Sequence, residues 1–170
     1  MRGFTLSGCG VNGASLDSWL RCKDLARDFK RDCPDLVVLA LGTNDAYNNP
    51  DFSPEAFKRK YRRIADMVLD ANPDCALLFI SAPDNYCRGA SNPNGPLVQK
   101  AMSELAADYN AGFWDLFNLM GGEGSMGTWV GEGLAQGDYV HFTWTGYEKI
   151  ADMMFESILK MKDEYKKRFR

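Results

Sequence analysis

One histidine stands in the 170 residues, so any imidazole that acts as a general base here is His141. Asp138 precedes it by three residues, close enough in a turn to accept a hydrogen bond from the ring. A carboxylate on one ring nitrogen fixes the tautomer and stabilises the imidazolium formed when the other nitrogen takes a proton. The same D-x-x-H spacing also suits an ordinary surface or core histidine, so the pair alone does not define a site. Asn44, in Gly42-Thr43-Asn44-Asp45, follows the longest unbroken apolar run of the strand-like segments, and its side-chain amide can donate to a developing oxyanion. Gly13, in Gly10-Val11-Asn12-Gly13-Ala14-Ser15, offers a backbone N–H that no side chain obstructs. Both segments equally have the composition that any strand end demands.

Four short apolar runs, each followed by an amphipathic stretch, set these groups on the βαβα rhythm of a parallel sheet covered by helices. The first run is residues 4–7, leading into the Gly13 segment and a helix over about 15–33. The second, 36–41, is Leu-Val-Val-Leu-Ala-Leu and reads as a strand buried on both faces. Ser53-Pro54 starts a helix, with Ser53 placed to cap it and Phe57, Tyr61, Ile64, Val68 and Leu69 along one face. Residues 76–81 form the third strand, and the Gly/Pro/Asn-rich loop 83–95 after it is long enough to serve as a substrate wall. A helix over about 96–109 leads to a short strand at 113–115, then a glycine-rich irregular region at 121–137. A long helix from about Thr145 closes the chain, with Tyr147, Ile150, Met154, Ile158 and Met161 on one face. In an open parallel sheet, functional groups gather beyond the C-terminal ends of the strands. The Gly13, Asn44 and His141 segments all fall in such positions.

Composition narrows the field further. Twenty basic and twenty-three acidic residues, a net charge of −3, argue against a nucleic-acid binder. Five cysteines without a CxxC pair and one histidine argue against a zinc site, and no cofactor is expected. No apolar run reaches the roughly 18–20 residues of a membrane span, and Met1-Arg2-Gly3-Phe4 lacks signal-peptide anatomy. A soluble chain is expected, its compartment left open. The basic residues from Lys160 to Arg170 fit the C-terminal end of a helix, where the dipole favours cations.

The order and spacing of the three polar segments resemble the SGNH hydrolases, the GDSL-type esterases and lipases, over residues 4–160. Gly10-Val11-Asn12-Gly13-Ala14 looks like the block that supplies a backbone oxyanion donor, at Gly13. Gly42-Thr43-Asn44-Asp45 looks like the block whose asparagine completes the oxyanion hole, Asn44 here. Asp138-Tyr139-Val140-His141-Phe142-Thr143 looks like the block carrying acid and base. The resemblance implies a three-layer, flavodoxin-like α/β sandwich with strand order 2-1-3-4-5. It also implies carboxylic ester hydrolysis through an acyl-enzyme, on acetylated sugars or other small esters. Tyr47, Tyr86 and Trp144 could shape an acceptor for a sugar ring, although exposed aromatics serve equally in packing.

One block of that pattern is missing. No Gly-Asp-Ser occurs, and the one Gly-Asp pair is Gly137-Asp138. Ser7, Ser15 and Ser18 do not match the nucleophile's position, and Cys9 reads better as a small strand-end cysteine than as a substitute. The expectation is a chain lacking its first, central strand, with the serine on an upstream segment. The alternative is a non-catalytic carbohydrate- or acyl-binding domain of the same fold. As it stands the chain is expected to be inactive. Its gap would be closed by pairing residues 4–7 with 36–41, or by association with a second copy, and 36–41 is expected to be central and buried.

Overall fold

The computed structural model describes residues 3 and 5–168. Its sheet is parallel, ordered β1-β2-β5, from β1 (Leu36–Leu39), β2 (Ala76–Ile80) and β5 (Gly112–Trp114). Leu36 lies opposite Ala76 and Leu78 opposite Gly112, so all three strands run out toward the same end. Helices cover both sides, in agreement with the α/β reading. On one side lie α1 (Leu16–Leu20), α2 (Leu25–Asp32), α4 (Pro54–Ala71) and α5 (Gly95–Asp108). The short α3 (Thr43–Ala46) follows β1. The other cluster is built by α6 (Leu116–Leu119), α7 (Ser125–Gly131) and α8 (Trp144–Arg168).

Local chemistry explains most of these boundaries. Ser53 caps α4 by accepting the Ala56 N–H at 3.2 Å, with Pro54 at the first helical position. The apolar face of α4 drives the first core: Phe57, Tyr61, Ile64, Ala65 and Val68 are buried against Leu39, Leu77 and Phe79. Tyr61 donates to the Leu39 carbonyl at 3.1 Å, which satisfies its hydroxyl inside that core. The alternation along β2 divides the strand: Leu77 and Phe79 enter this core, while Leu78 and Ile80 meet Trp114, Met126, Trp129 and Phe142 in the second.

Three expectations need correction. The 36–41 run is not central: β1 ends at Leu39 and is the edge of the described sheet, with Leu36 53% and Val38 47% exposed. Leu36 and Val38 share the face opposite Val37 and Leu39, and that face of β1 is left half open while the other packs on the first core; no described strand pairs with the outer side of β1. Residues 5–7 form no strand and do not fill that side; Phe4 lies outside the described residues. Among the described residues the sheet therefore has three parallel strands rather than four. The 15–33 helix is two helices, because the chain turns at residues 21–24 between them.

The 83–95 loop contains a two-residue hairpin, β3 (Tyr86–Cys87) with β4 (Ala90–Ser91), turned by Arg88 and Gly89 at φ 55° and 82°. Its base is held by polar groups inside the protein. Asp84, fully buried, accepts the Met126 N–H at 2.8 Å and the Ser91 hydroxyl at 3.3 Å. Phe169 and Arg170, the end of the basic tail, lie outside the described residues.

Candidate active site

The acid–base pair is built by a turn that closes on itself. Asp138 Oδ1 accepts the backbone N–H groups of Val140 at 2.9 Å and His141 at 3.0 Å. Asp138 Oδ2 takes the His141 Nδ1 hydrogen at 2.7 Å. The His141 N–H bond, with help from the ring, holds the Asp138 carboxyl down at about 2, although burial works against this. Asp138 is therefore ionised at neutral pH, and an anionic acceptor assigns the ring proton to Nδ1 and leaves Nε2 as the basic nitrogen.

The surroundings fix that turn in place. Gln136 N–H donates to the His141 carbonyl at 2.8 Å, and Tyr86 N–H to the Tyr139 carbonyl at 2.9 Å. The Tyr86 and Tyr139 rings stack at 4.9 Å. Thr143 caps α8, accepting the Gly146 N–H on Oγ1 at 3.2 Å. Gly146 is needed here: any Cβ would collide with the Leu134 carbonyl, so only glycine lets α8 start this close to the loop that carries His141.

The oxyanion candidates come from the ends of two other segments. Gly42, at φ 128° with Val98 Cγ1 3.0 Å from where a Cβ would lie, turns the chain sharply out of the sheet and presents Asn44 at the start of α3. Asn44 Nδ2 donates to the Ala14 carbonyl at 3.0 Å. An amide nitrogen has two hydrogens, so one remains for another acceptor. Gly13 stands at φ 71° in a turn closed by the Ala14 N–H to the Val11 carbonyl at 3.1 Å.

Gly13, Asn44 and His141 line one cavity of about 540 Å³. Ala40, Ile80, Ala82, Trp114 and, from α8, Ile150, Ala151 and Met154 also line it. Hydroxyls on the wall come from Thr43, Ser81 and Tyr147. Ser81 Oγ is engaged, donating to Asp115 Oδ1 at 3.1 Å and accepting the Phe117 N–H at 2.9 Å. The sequence-derived acid, base and oxyanion candidates thus meet at one place: three line the cavity, and Asp138 stands behind His141.

The three aromatics named for a sugar acceptor do not line the cavity. Tyr86 is spent on the Tyr139 stack and donates to the Gly124 carbonyl at 3.4 Å. Trp144 is 79% exposed, with Nε1 donating to Glu148 Oε1 at 2.9 Å. Tyr47, the residue that ends α3, is exposed and is not among the cavity residues, although Thr43 and Asn44 are. The 83–95 loop contributes Pro83 alone to the wall, because its buried Asp84, Asn85 and Asn92 bind it into the body of the protein. Sequence reasoning missed Tyr147, which does line the cavity, and Asp45, whose carboxylate accepts the Leu16 N–H. The signal for Asp45 lay in plain view, as the last residue of the Gly-Thr-Asn-Asp motif.

Among the described residues no helix is long and apolar enough to cross a membrane, and no group of three or more His, Cys, Asp or Glu could hold a metal ion.

Comparison with known proteins agrees with this architecture. Residues 2–149 match the model of the GDSL-like lipase/acylhydrolase family, and the chain belongs to that family. A solved peptidoglycan O-acetylesterase is similar at 30% identity and a TM-score of 0.80 over 88% of this chain. The match takes in 44% of that esterase, so the chain spans less than half its length. The lipase/acylhydrolase of Enterococcus faecalis shares the fold at 22% identity and a TM-score of 0.64, covering 86% of this chain and 71% of that one. A carbohydrate esterase of family 3 from Talaromyces cellulolyticus does so at 19% identity and 0.66, covering 89% and 70%. A comparison with curated proteins returned no match.

Proposed function

We propose that this chain supplies the acid–base pair and the oxyanion cradle of a carboxylic ester hydrolase that removes acetyl groups from O-acetylated carbohydrate. The observation that carries the proposal is the convergence of His141, Asn44 and Gly13 on one cavity, with His141 oriented by an ionised Asp138. The family and the 30% identity to a peptidoglycan O-acetylesterase support the substrate class. The nucleophile is a serine outside the 170 residues. The outer side of β1, which no described strand pairs, and the half-exposed Leu36 and Val38 support a strand-bearing segment seated beside the cavity.

In this mechanism the serine Oγ attacks the acetyl carbonyl carbon while His141 Nε2 takes its proton. The carbonyl oxygen becomes an alkoxide, which the Gly13 N–H and the second Asn44 amide hydrogen stabilise. Asp138 holds Nδ1–H and stabilises the imidazolium without taking the proton. Collapse breaks the C–O bond to the sugar, and the imidazolium returns its proton to the leaving sugar oxygen. That leaves an acetyl-serine. Water, deprotonated by His141, then attacks the acetyl carbon, and acetate departs as the serine regains its proton.

The test compares residues 1–170 with a longer protein carrying the preceding segment, each with and without His141→Ala, on p-nitrophenyl acetate and an O-acetylated glycan. Turnover in the longer protein alone, abolished by His141→Ala, is expected. Turnover that survives His141→Ala overturns the proposal, as does glycan binding by the longer protein without turnover.

A further inference from the structure

The two oxyanion candidates lie 31 residues apart in sequence, and what joins them is a set of bonds around the residue next to Asn44. Leu16 N–H donates to the Asp45 carboxylate, 3.1 Å from Oδ1 and 3.2 Å from Oδ2. Two residues upstream, Ala14 presents its carbonyl to Asn44 Nδ2. Leu16 is fully buried, so its N–H sits at the edge of the core, where an unmet donor is costly. The turn at Gly13 is otherwise closed on itself, through Ala14 N–H and the Val11 carbonyl. Its place on the cavity wall is set by these bonds to residues 44 and 45 together with the burial of Leu16 in the first core. A further strap, Lys60 Nζ to Asp17 Oδ2 at 2.6 Å, ties α4 to α1 at the surface, where such pairs hold weakly.

We propose that Asp45 is a positioning residue that latches the Gly13 turn onto the Asn44 turn by accepting the Leu16 N–H, so that both oxyanion donors stand on one wall before substrate arrives. The word oxyanion rests on the ester-hydrolase reading; the latch itself is a property of the folded chain. Asp45 has no place on the cavity that holds His141 and touches no reacting atom. It lines a separate recess of about 120 Å³ with Asn49, Asp51, Phe52, Ser53 and Lys60. The bond to its carboxylate is charge-assisted and stronger than one to a neutral oxygen. Asparagine keeps an acceptor oxygen at the same place; alanine has none.

Amide hydrogen exchange on the chain with Asp45→Ala and Asp45→Asn tests the latch without any turnover. In Asp45→Ala the Leu16 amide is expected to exchange on the order of ten- to a hundredfold faster, as loss of a hydrogen bond to a charged group implies. The core amides of Val68 and Phe79 are expected to keep their rates, and Asp45→Asn to stay within a few-fold of the parent. Unchanged Leu16 exchange in Asp45→Ala overturns the proposal. So does acceleration of the core amides in step with Leu16, or an Asp45→Asn protein as fast as Asp45→Ala. Should Asp45→Ala not fold, a through-hydrogen-bond coupling between Leu16 nitrogen and the Asp45 side-chain carbon in the parent chain decides: its presence supports the latch and its absence overturns it. In a form that turns over, Asp45→Ala should lower kcat with KM little changed, and Asp45→Asn should recover it. An intact latch in a protein that never hydrolyses ester would defeat the proposed function and leave the latch standing.

Discussion

The two faces of the sheet differ in how completely they are covered. On one, Phe79, Tyr61, Val68, Val98, Met102 and Leu105 are essentially inaccessible to solvent, and α4 and α5 close over them. On the other, Leu78 and Ile80 meet a smaller cluster that α8 joins through Ile150, Met153 and Met154. Farther along α8, Phe155, Ile158 and Leu159 stay 60%, 45% and 41% exposed, and Leu36 and Val38 on β1 are as open. The cavity with His141, Asn44 and Gly13 includes Ile80 and Met154 and so belongs to the second face. The first face holds the fold together, and the second holds the groups that could do chemistry. That division of labour is what a rigid scaffold with an accessible site requires.

The sharpest way to break this contrast is to truncate one side chain on each face. Phe79→Ala should cost about 3–5 kcal/mol, the usual loss for a large side chain removed from a packed core. Val38→Ala should cost under about 1 kcal/mol, because half its surface is already in solvent. Urea unfolding of the two variants measures both. Equal losses would mean that β1 is buried in solution and that the second face is covered.

On the chemical side, Asn44→Ala in a form that turns over should raise the barrier by about 2.7–4 kcal/mol, seen as a fall in kcat with KM little affected. Fold stability should move far less, since Asn44 is exposed. A KM effect alone would recast Asn44 as a binding group.

A further effect concerns pH. Burial raises the Asp45 carboxyl to about 6, against the pull of the Leu16 N–H and of Lys60; Asp17 adds a like charge, and the buried Tyr61 hydroxyl lies near. A carboxyl raised in the folded state contributes stability that is complete below its unfolded value, near 3.9, and lost as pH rises through about 6. With allowance for solvent screening, Asp45→Asn should gain about 1–2 kcal/mol over the parent at pH 7.5 and nothing at pH 4. Asp138 shifts the other way: its contribution is present above about 4 and lost only as pH falls toward about 2, outside that window. Thermal melts at pH 4, 5.5 and 7.5 measure the difference, and a gap that does not vary with pH would remove Asp45 from the account.

Much of this molecule was legible in its residues. The Ser53-Pro54 start of α4 and its apolar face follow from local rules, as do the strands at 76 and 112 and the start of α8 near Trp144. The grouping of Gly13, Asn44 and His141 is an expectation from the order of the three polar segments and the family they resemble; of the three, only Asn44 directly follows a described strand. What failed was non-local. An unbroken Leu-Val-Val-Leu run states that a strand forms, but whether both its edges are paired depends on other segments. Tyr86 and Trp144 read as free aromatics because their partners, Tyr139 and Glu148, are fixed by the fold. The break between α1 and α2 carries no proline or glycine, so periodicity ran straight through it.

The most direct measurement of the central claim is to find the nucleophile. A fluorophosphonate that traps activated serines should label the longer, active protein once, at a serine outside the 170 residues, and labelling should vanish in His141→Ala. Residues 1–170 alone should take no label. Label mapped to Ser7, Ser15, Ser18 or Ser81, or a parallel thiol probe captured by Cys9 in a His141-dependent way, would contradict the account and place the nucleophile within this chain.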